Sequence, residues 1–441
     1  MNKDINKQDI DELLTRGVGE FIDPDGAFRK KLETNPEKII IKFGIDPTRP
    51  DIHLGHAVIL RKLRQFQDLG CKVIFLIGDY TAQIGDPTGK DITRPEINIK
   101  EINENAETYE KQVSNILNIS DKNKYVRLKN STWFQSPTDY LGKNMMEKSL
   151  NWEKDREEFK HIRGALPTVT VWNLMYTLKH ITHSQLIERD MFQKRINSNK
   201  HLYMHEMMYP ILQATDSNTI AGFFGSCDLE VGGTDQTFNM LMGRPVMKLS
   251  NFEPQAVLSF DLLEGIDGKE KMSKSLDNYI GIDDTPSEMF GKTMSIPDEL
   301  ITKYFLLCTD ISMSVIEGYT RDMVTGVVNP RDLKMVLGKE LVTIYHSKKS
   351  AEKAEENFIA TFQNKEIPKD VSEIKVRKGN LLVDVFLENE LVSSKTEFRR
   401  LIDEKAITNL DTNEKITNHT IEAVGGVYRI GKKRFCKISI K

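Results

Sequence analysis

The tetrapeptide His53-Leu54-Gly55-His56 sets two imidazoles three residues apart. On a helix that spacing puts both rings on one face. A helix N-terminus already favours anions through its free N–H groups and its dipole. Two imidazole donors added there can follow negative charge as it develops on a phosphate. Gly55 carries no side chain, so a flat base could approach the backbone closely. Taken alone, the tetrapeptide reads equally well as a metal pair or as two surface histidines. Far downstream, Lys271-Met272-Ser273-Lys274-Ser275 lies in a polar stretch flanked by Gly265, Gly268 and Gly281. By itself it is a solvated basic loop, but two lysines and two hydroxyls on a mobile loop can close over a triphosphate as pyrophosphate leaves. Ile84-Gly85-Asp86-Pro87-Thr88-Gly89-Lys90, with Arg94 beyond it, adds two more cations. Its glycines and lysine are not spaced as a P-loop, and its plain reading is a turn followed by exposed charge.

Two further patterns place polar groups among apolar ones. Tyr209, Gln213 and Asp216 stand at i, i+4 and i+7, one stripe of a helix, with Ile211 and Leu212 facing elsewhere. Pro210 fits best in a first turn, which predicts that Tyr209 lies near that helix's start. The stripe reads either as a solvated face or, because its flanks are apolar, as buried groups that need partners. Leu229-Glu230-Val231-Gly232-Gly233-Thr234-Asp235-Gln236 reads as a strand ending in a tight glycine turn with polar groups just after it.

The elements that must position these residues are legible nearby. Lys38 to Gly44 reads as a buried strand, followed by the turn Asp46-Pro47-Thr48-Arg49-Pro50-Asp51. A helical pattern runs from about His53 to Leu69 and stops at Gly70, and Val73 to Ile77 is a second buried strand. Strand, helix and strand make a βαβ unit and hence a parallel sheet, in which ligands bind at the carboxyl ends of the strands. Residues of about 95–200 read mainly as helices, as does Thr285 to about Gln363. Lys365 to Asn380 is polar and reads as a linker. An apolar run from Leu381 to Phe386, a helix from Ser394 to Glu404 and alternating strands to Ile440 predict a small α+β domain. The domains expected are therefore 1–250, with a helical insertion at about 130–190, then 251–364, the linker 365–380, and 381–441.

At 441 residues the chain exceeds one core. Its 39% hydrophobic and 29% charged residues suit a globular protein, with no apolar run long enough to span a membrane. The polar start lacks the apolar stretch of a secretory signal. Cys71, Cys227, Cys308 and Cys436 are scattered, so neither a zinc knuckle nor a disulfide framework is indicated, and a reducing, cytoplasmic setting is expected. Net charge is −3, but Lys378 to Lys441 holds 12 Lys/Arg against 9 Asp/Glu, a net +3 that leaves −6 elsewhere. That basic tail points weakly to an anionic partner.

Taken together, His-x-Gly-His after the first strand of a parallel sheet and Lys-Met-Ser-Lys-Ser far downstream resemble the two defining motifs of class I aminoacyl-tRNA synthetases. Tyr209-x-x-x-Gln213-x-x-Asp216 and Gly232-Gly233-Thr234-Asp235-Gln236 narrow the resemblance to tyrosyl-tRNA synthetases of bacterial type. The resemblance covers nearly the whole chain. Its tail, through Val392-Ser393-Ser394-Lys395, Arg399-Arg400-Leu401-Ile402 and Ile430-Gly431-Lys432-Lys433, is similar to an S4-type RNA-binding domain.

The resemblance implies a Rossmann-like catalytic domain, a helical domain and a small α+β S4-like domain. It implies activation of L-tyrosine with ATP and transfer to tRNA, Mg²⁺ accompanying ATP without a dedicated protein metal site, and a homodimer formed through helices between about 130 and 190. Thr81, Asp86, Tyr209 and Gln213 would hold the substrate ammonium, Asp216 would accept from the phenol, and Gln236 would sit beside the carboxylate. Asp235, Gly233, Gly55, Met272 and Asp46 would contact ATP. Thr48, His53 and His56 would meet the phosphates from one side, and Lys90, Arg94, Lys271, Lys274 and Ser275 from the other. Lys395, Arg399, Arg400, Lys432 and Lys433 would contact tRNA. One departure stands out. Many bacterial members carry a phenol-binding tyrosine four residues before the Asp-Pro-Thr turn, and this chain has Lys42 there. A site built to bond a hydroxyl still rejects the analogue lacking it, enzymes of this family being the standard illustration. A tryptophanyl enzyme and an inactive RNA-binding relative are the rival readings. Gln213 and the Tyr209 stripe speak against the first, and the intact His53, His56, Lys271 and Lys274 against the second.

Overall fold

The computed structural model describes residues 7–50, 52–88, 97–134, 169–187, 190–273, 276–362, 373–377, 379–389, 391–412, 414–431 and 434–440. The chain folds into two compact units, Met1–Lys348 and Lys349–Lys441.

The first unit is built on a six-stranded sheet in the order β1-β6-β5-β2-β3-β4. The strands are β1 (Val18–Ile22), β2 (Ile40–Ile45), β3 (Lys72–Ile77), β4 (Tyr125–Lys129), β5 (Leu229–Gly233) and β6 (Ala256–Phe260). β1 runs antiparallel to β6, and the other pairings are parallel. Runs such as Ile39-Ile40-Ile41 and Val73-Ile74-Phe75-Leu76-Ile77 are buried throughout, as strands covered on both faces require. Lys42 interrupts the first of these runs and is equally buried. From β2 the chain builds outward through β3 to β4, and on the other side from β5 to β6. The switch point is therefore the crevice between β2 and β5, where a doubly wound sheet binds its ligands. β4 falls in a stretch whose pattern reads as helical. Its Val126 and Arg127 are only partly buried and its sequence carries a charge, so it lacks the continuous apolar run that marks β3.

The helices that matter to this crevice are α1 (Leu54–Leu69), α2 (Ile99–Val113), α3 (Met204–Phe224) and α4 (Thr237–Leu249). α1 follows β2 and ends at Gly70, whose φ of 109° lies in the left-handed region where glycine carries no penalty. α3 begins at Met204, earlier than Pro210 suggests, and the proline sits inside it. The donor that Pro210 lacks would have reached the Glu206 carbonyl, still close to the helix start, so the loss is tolerated. Beyond β6 lie α5 (Pro286–Met294), α6 (Ile301–Cys308), α7 (Met313–Val324) and α8 (Pro330–Tyr345), in keeping with the helical reading of that region.

The second unit carries a five-stranded sheet in the order β7-β11-β10-β8-β9. Its strands are β7 (Glu373–Val376), β8 (Ile407–Asn409), β9 (Glu414–Lys415), β10 (Gly426–Ile430) and β11 (Arg434–Ile440), with helices α9 (Leu382–Glu388) and α10 (Lys395–Asp403). β7 pairs parallel with β11 although it lies in the polar stretch expected as a linker. Partnership with a later strand, not its own composition, makes it a strand. Phe386, Phe398, Ile407, Tyr428 and Ile430 form the core of this unit. No helix among the described residues is long and apolar enough to cross a membrane.

Candidate functional site

The turn after β2 is held by α2. Asn105 donates to the Pro47 carbonyl at 3.0 Å, and Gln112 donates to the Pro50 carbonyl at 2.8 Å and accepts from the Ile52 N–H at 2.6 Å. This fixes the backbone that delivers His53 to the N-cap of α1. The rings of His53 and His56 stack with centroids 3.9 Å apart. The His53 N–H approaches His56 Nδ1 at 3.4 Å, which leaves Nε2 as the protonated, outward donor. His53 Nδ1 is buried without a hydrogen-bond partner among the described residues. Desolvation, with help from the Lys271 charge, pushes the His56 pKa down to about 4. Desolvation, His56 and Lys271 together hold His53 well below its ordinary value. Both rings are neutral donors at pH 7. A Cβ on Gly55 would lie 3.1 Å from the His53 ring, close enough that the ring would have to shift by a few tenths of an ångström.

The basic loop reaches the same place from the other side of the switch point. Residues 265–282 are anchored to the histidine turn by Leu54 N–H to Ile280 C=O at 3.0 Å and Ile282 N–H to Ile52 C=O at 3.3 Å. Buried Asn278 ties the loop to itself: its Oδ1 accepts from the Ser273 N–H at 2.8 Å and its Nδ2 donates to Asp267 Oδ2 at 3.0 Å. Lys271 pairs with Asp235 at 3.1 Å, just beyond β5, and is half exposed. Met272 is buried, and its N–H donates to the Leu263 carbonyl. Gly233 has no room for a Cβ beside Asp235.

Between these walls lies a polar network. Asp46, at the end of β2, accepts from Thr81 Oγ1 at 2.8 Å and from the Tyr209 hydroxyl at 2.8 Å. Gly78 leaves the space in which the Asp46 carboxylate and the Thr81 hydroxyl meet. Asp86 accepts from Thr88 and, at 2.7 Å, from Gln236 Nε2. Gln236 in turn accepts from Asn239 at 3.0 Å. Deeper, Asp216 accepts from Trp133 Nε1 at 2.9 Å and from Asn130 Nδ2 at 3.3 Å, and Asn130 also donates to Thr81. Burial raises the Asp216 carboxyl to about 7, against the opposing pull of Lys42, Trp133 and Asn130. The buried polar stripe of α3 thus has partners, and it is not a solvated face.

The candidates Thr48, His53, Gly55, His56, Thr81, Asp86, Tyr209, Gln213, Asp216, Gly233, Asp235, Gln236, Lys271 and Met272 all lie at the carboxyl ends of β2, β3 and β5 or on the segments that follow them, in the first turn of α1, on α3 and on the 265–282 loop. Asp46, expected at the ATP site, accepts from Thr81 and Tyr209. Lys90, Arg94, Lys274 and Ser275 lie outside the described residues. In the second unit, Arg399 is exposed on α10, Lys395 pairs with Asp384 and Arg400 with Glu404, while Lys432 and Lys433 lie outside the described residues. Sequence reasoning missed Asn130, Trp133, Glu230 and Asn278. Only Glu230 left a mark, a charge inside an otherwise apolar strand. Among the described residues no group of three or more His, Cys, Asp and Glu side chains is gathered as for a metal.

Residues 34–363 match the family model described as class I tRNA synthetases (W and Y). The chain is 40% identical over 433 residues to the tyrosine--tRNA ligase of Francisella tularensis, covering 98% of each. It is 40% identical over 403 residues to that of Thermotoga maritima, covering 91% of this chain and 90% of the relative. Among solved structures it is similar to a C-terminally truncated mitochondrial tyrosyl-tRNA synthetase of Aspergillus nidulans, with TM-score 0.58 and 19% identity over 80% of this chain and 94% of the other. The tryptophanyl-tRNA synthetase of Plasmodium falciparum gives TM-score 0.53 at 12% identity, over 80% of this chain and 90% of the other. At such identities the structural likeness speaks for the fold alone.

Proposed function

The chain belongs to the class I tRNA synthetases for tryptophan and tyrosine, on their tyrosine--tRNA ligase branch, and from that premise we propose how its residues share the reaction. The enzyme activates L-tyrosine with ATP and transfers it to tRNA. Tyrosine lies along α3, its ammonium among Thr81, Asp86, Tyr209 and Gln213, with Asp46 behind them. Its phenol hydroxyl donates to Asp216, and its carboxylate lies beside Gln236. ATP lies across Gly55, Gly233, Asp235 and Met272.

The carboxylate is an anion at neutral pH, so its attack on the α-phosphate needs no general base. What the step needs is alignment and neutralisation of charge growing on pyrophosphate. Thr48 on the turn after β2, and His53 and His56 at the start of α1, supply this, a neutral ring placed at a helix N-terminus donating without first having to be protonated. Lys271, Lys274 and Ser275, with Lys90 and Arg94, supply it from loops. Mg²⁺ arrives on the triphosphate as part of the substrate, held by phosphate oxygens. In the second step a terminal ribose hydroxyl of tRNA attacks the carbonyl carbon of the adenylate in the same pocket; the acyl–phosphate bond breaks and AMP leaves, its phosphate taking up the hydroxyl proton. The S4-like unit, through Lys395, Arg399, Arg400, Lys432 and Lys433, holds the tRNA. A homodimer is supported by the exposed apolar side chains Val171, Trp172, Met175 and Tyr176, which are 78%, 75%, 56% and 46% exposed. The four free cysteines suit a reducing cytoplasm.

The observation that carries this reading is the meeting, at one switch point, of the stacked histidines with Lys271 and Asp235. Amino-acid-dependent ATP–pyrophosphate exchange, run in parallel with tyrosine, phenylalanine and tryptophan, tests it. Exchange with tryptophan alone, or with none, overturns it. Within that assay Lys274→Ala should depress the activation rate far more than it weakens tyrosine binding. Collapse of tyrosine affinity with the rate intact would contradict the loop's assignment.

A further inference from the structure

Beneath the site lies an ion pair that the reaction as described does not use. Lys42 and Glu230, 1% and 2% exposed, are register partners on the two central strands β2 and β5, with Nζ 2.8 Å from Oε1. A well-packed apolar pair would serve the sheet as well, so the use of the charges has to be sought in what they hold. The lysine's three donors are all engaged, by Glu230, by the Gln213 backbone carbonyl at 2.8 Å and by Ser217 Oγ at 2.9 Å. No N–H of Lys42 remains for a ligand. Glu230 accepts from the Gln213 side-chain Nε2 at 3.0 Å, from Ser217 Oγ at 3.0 Å and from Gln255. An ionised carboxylate only accepts, so it dictates the orientation of the Gln213 amide. The NH₂ faces Glu230, and the carbonyl oxygen is turned the other way, as an acceptor for an ammonium. Lys42 is also the cation that most opposes the effect of burial on Asp216, while Glu230 acts in the opposite sense. Trp133 and Asn130 complete the surroundings of that carboxylate as neutral donors.

We propose that the buried Lys42–Glu230 pair is a positioning device for amino-acid binding: it orients Gln213 as an acceptor for the substrate ammonium, so that affinity for the amino acid depends on two residues that do not touch it. The proposal rests on the tyrosine reading above.

The test compares the full-length protein with Glu230→Gln, which keeps the shape and some hydrogen bonds, and with the double variant Lys42→Met/Glu230→Met, which removes both charges and leaves neither unpaired. Circular dichroism establishes folding, and exchange kinetics with tyrosine and with phenylalanine are followed from about pH 6 to 9. In both variants KM for tyrosine and for phenylalanine should rise together, about tenfold or more, because the ammonium is common to both, with kcat within about threefold. The unaltered enzyme should show an acid limb in kcat/KM for tyrosine near pH 7, where Asp216 gains its proton. Glu230→Gln removes a neighbouring negative charge and should move that limb down. The double variant loses the lysine, the larger influence, and should move it up. A merely structural pair would not displace the limb in opposite directions. A KM for tyrosine within twofold of the unaltered enzyme in folded Glu230→Gln, or a limb that stays in place in the variants that fold, overturns the proposal. If the double variant does not fold, Glu230→Gln decides alone. Absence of tyrosine-dependent exchange in the unaltered protein would instead sink the reading beneath it, and is seen separately.

Discussion

His53 and His56 are held neutral because burial strips them of the solvation that a charged imidazole needs, and Lys271 adds like-charge repulsion. Replacing His56 with Asn removes one preorganised donor to the developing pyrophosphate charge. The exchange rate should fall about a hundredfold while tyrosine affinity, read by equilibrium dialysis, stays within about threefold. The same shifts have a stability consequence. A group whose folded pKa is depressed stabilises the protein above its unfolded value, and that contribution is lost as pH falls toward the folded value. For the His56 ring the window runs from about 6.5 down to about 4. Melting temperatures of the unaltered protein should therefore drop faster across that window than those of His53→Asn/His56→Asn. Parallel curves would show that the rings titrate normally.

At the scale of elements, α1 and the 265–282 loop matter as a pair. A Cβ at Gly55 would press on the His53 ring, so Gly55→Ala should slow exchange while lowering stability in thermal melts by no more than about 1 kcal/mol. The loop presents Lys271 only because Asn278 satisfies its backbone. Asn278→Ala should lower kcat for exchange about tenfold or more and leave tyrosine affinity unchanged, since no tyrosine-facing group touches it. Loss of tyrosine affinity in that variant would place Asn278 in the wrong half of the site. The helix α3 has a different task. One of its faces packs on the core through Ile211 and Ala214, and the other carries Tyr209, Gln213 and Asp216 against strands and loops that satisfy them.

At the scale of the whole molecule, the candidate site and the small α+β domain lie in different compact units. Ending the chain at Lys348 should leave tyrosine-dependent exchange within about threefold and abolish detectable tRNA charging, because the residues proposed for activation all lie in the first unit. Retained charging would remove the tail from tRNA binding. Trp172→Glu places a charge on the exposed apolar patch and should convert a dimer to a monomer in sedimentation velocity.

Much of this was legible in the linear chain. Phosphate-handling residues are marked by types rare in such combinations, as in His53-Leu54-Gly55-His56. Buried parallel strands are marked by unbroken apolar runs such as Val73 to Ile77, because both of their faces must leave water. β4, only partly buried and carrying a charge, and β7, polar and edge-placed, gave no such run and needed their partners to become strands. The α3 stripe could be read as surface or pocket until Asn130, Trp133 and Glu230 were seen to meet it. What the sequence by itself determined is the family, the βαβ frame and the residues able to handle phosphate. Only the tertiary structure decided that Lys42 is matched by Glu230, that Asp216 sits among neutral donors and that both histidines are uncharged. Each of those depends on desolvation and on contacts between distant segments, and neither is written in local pattern.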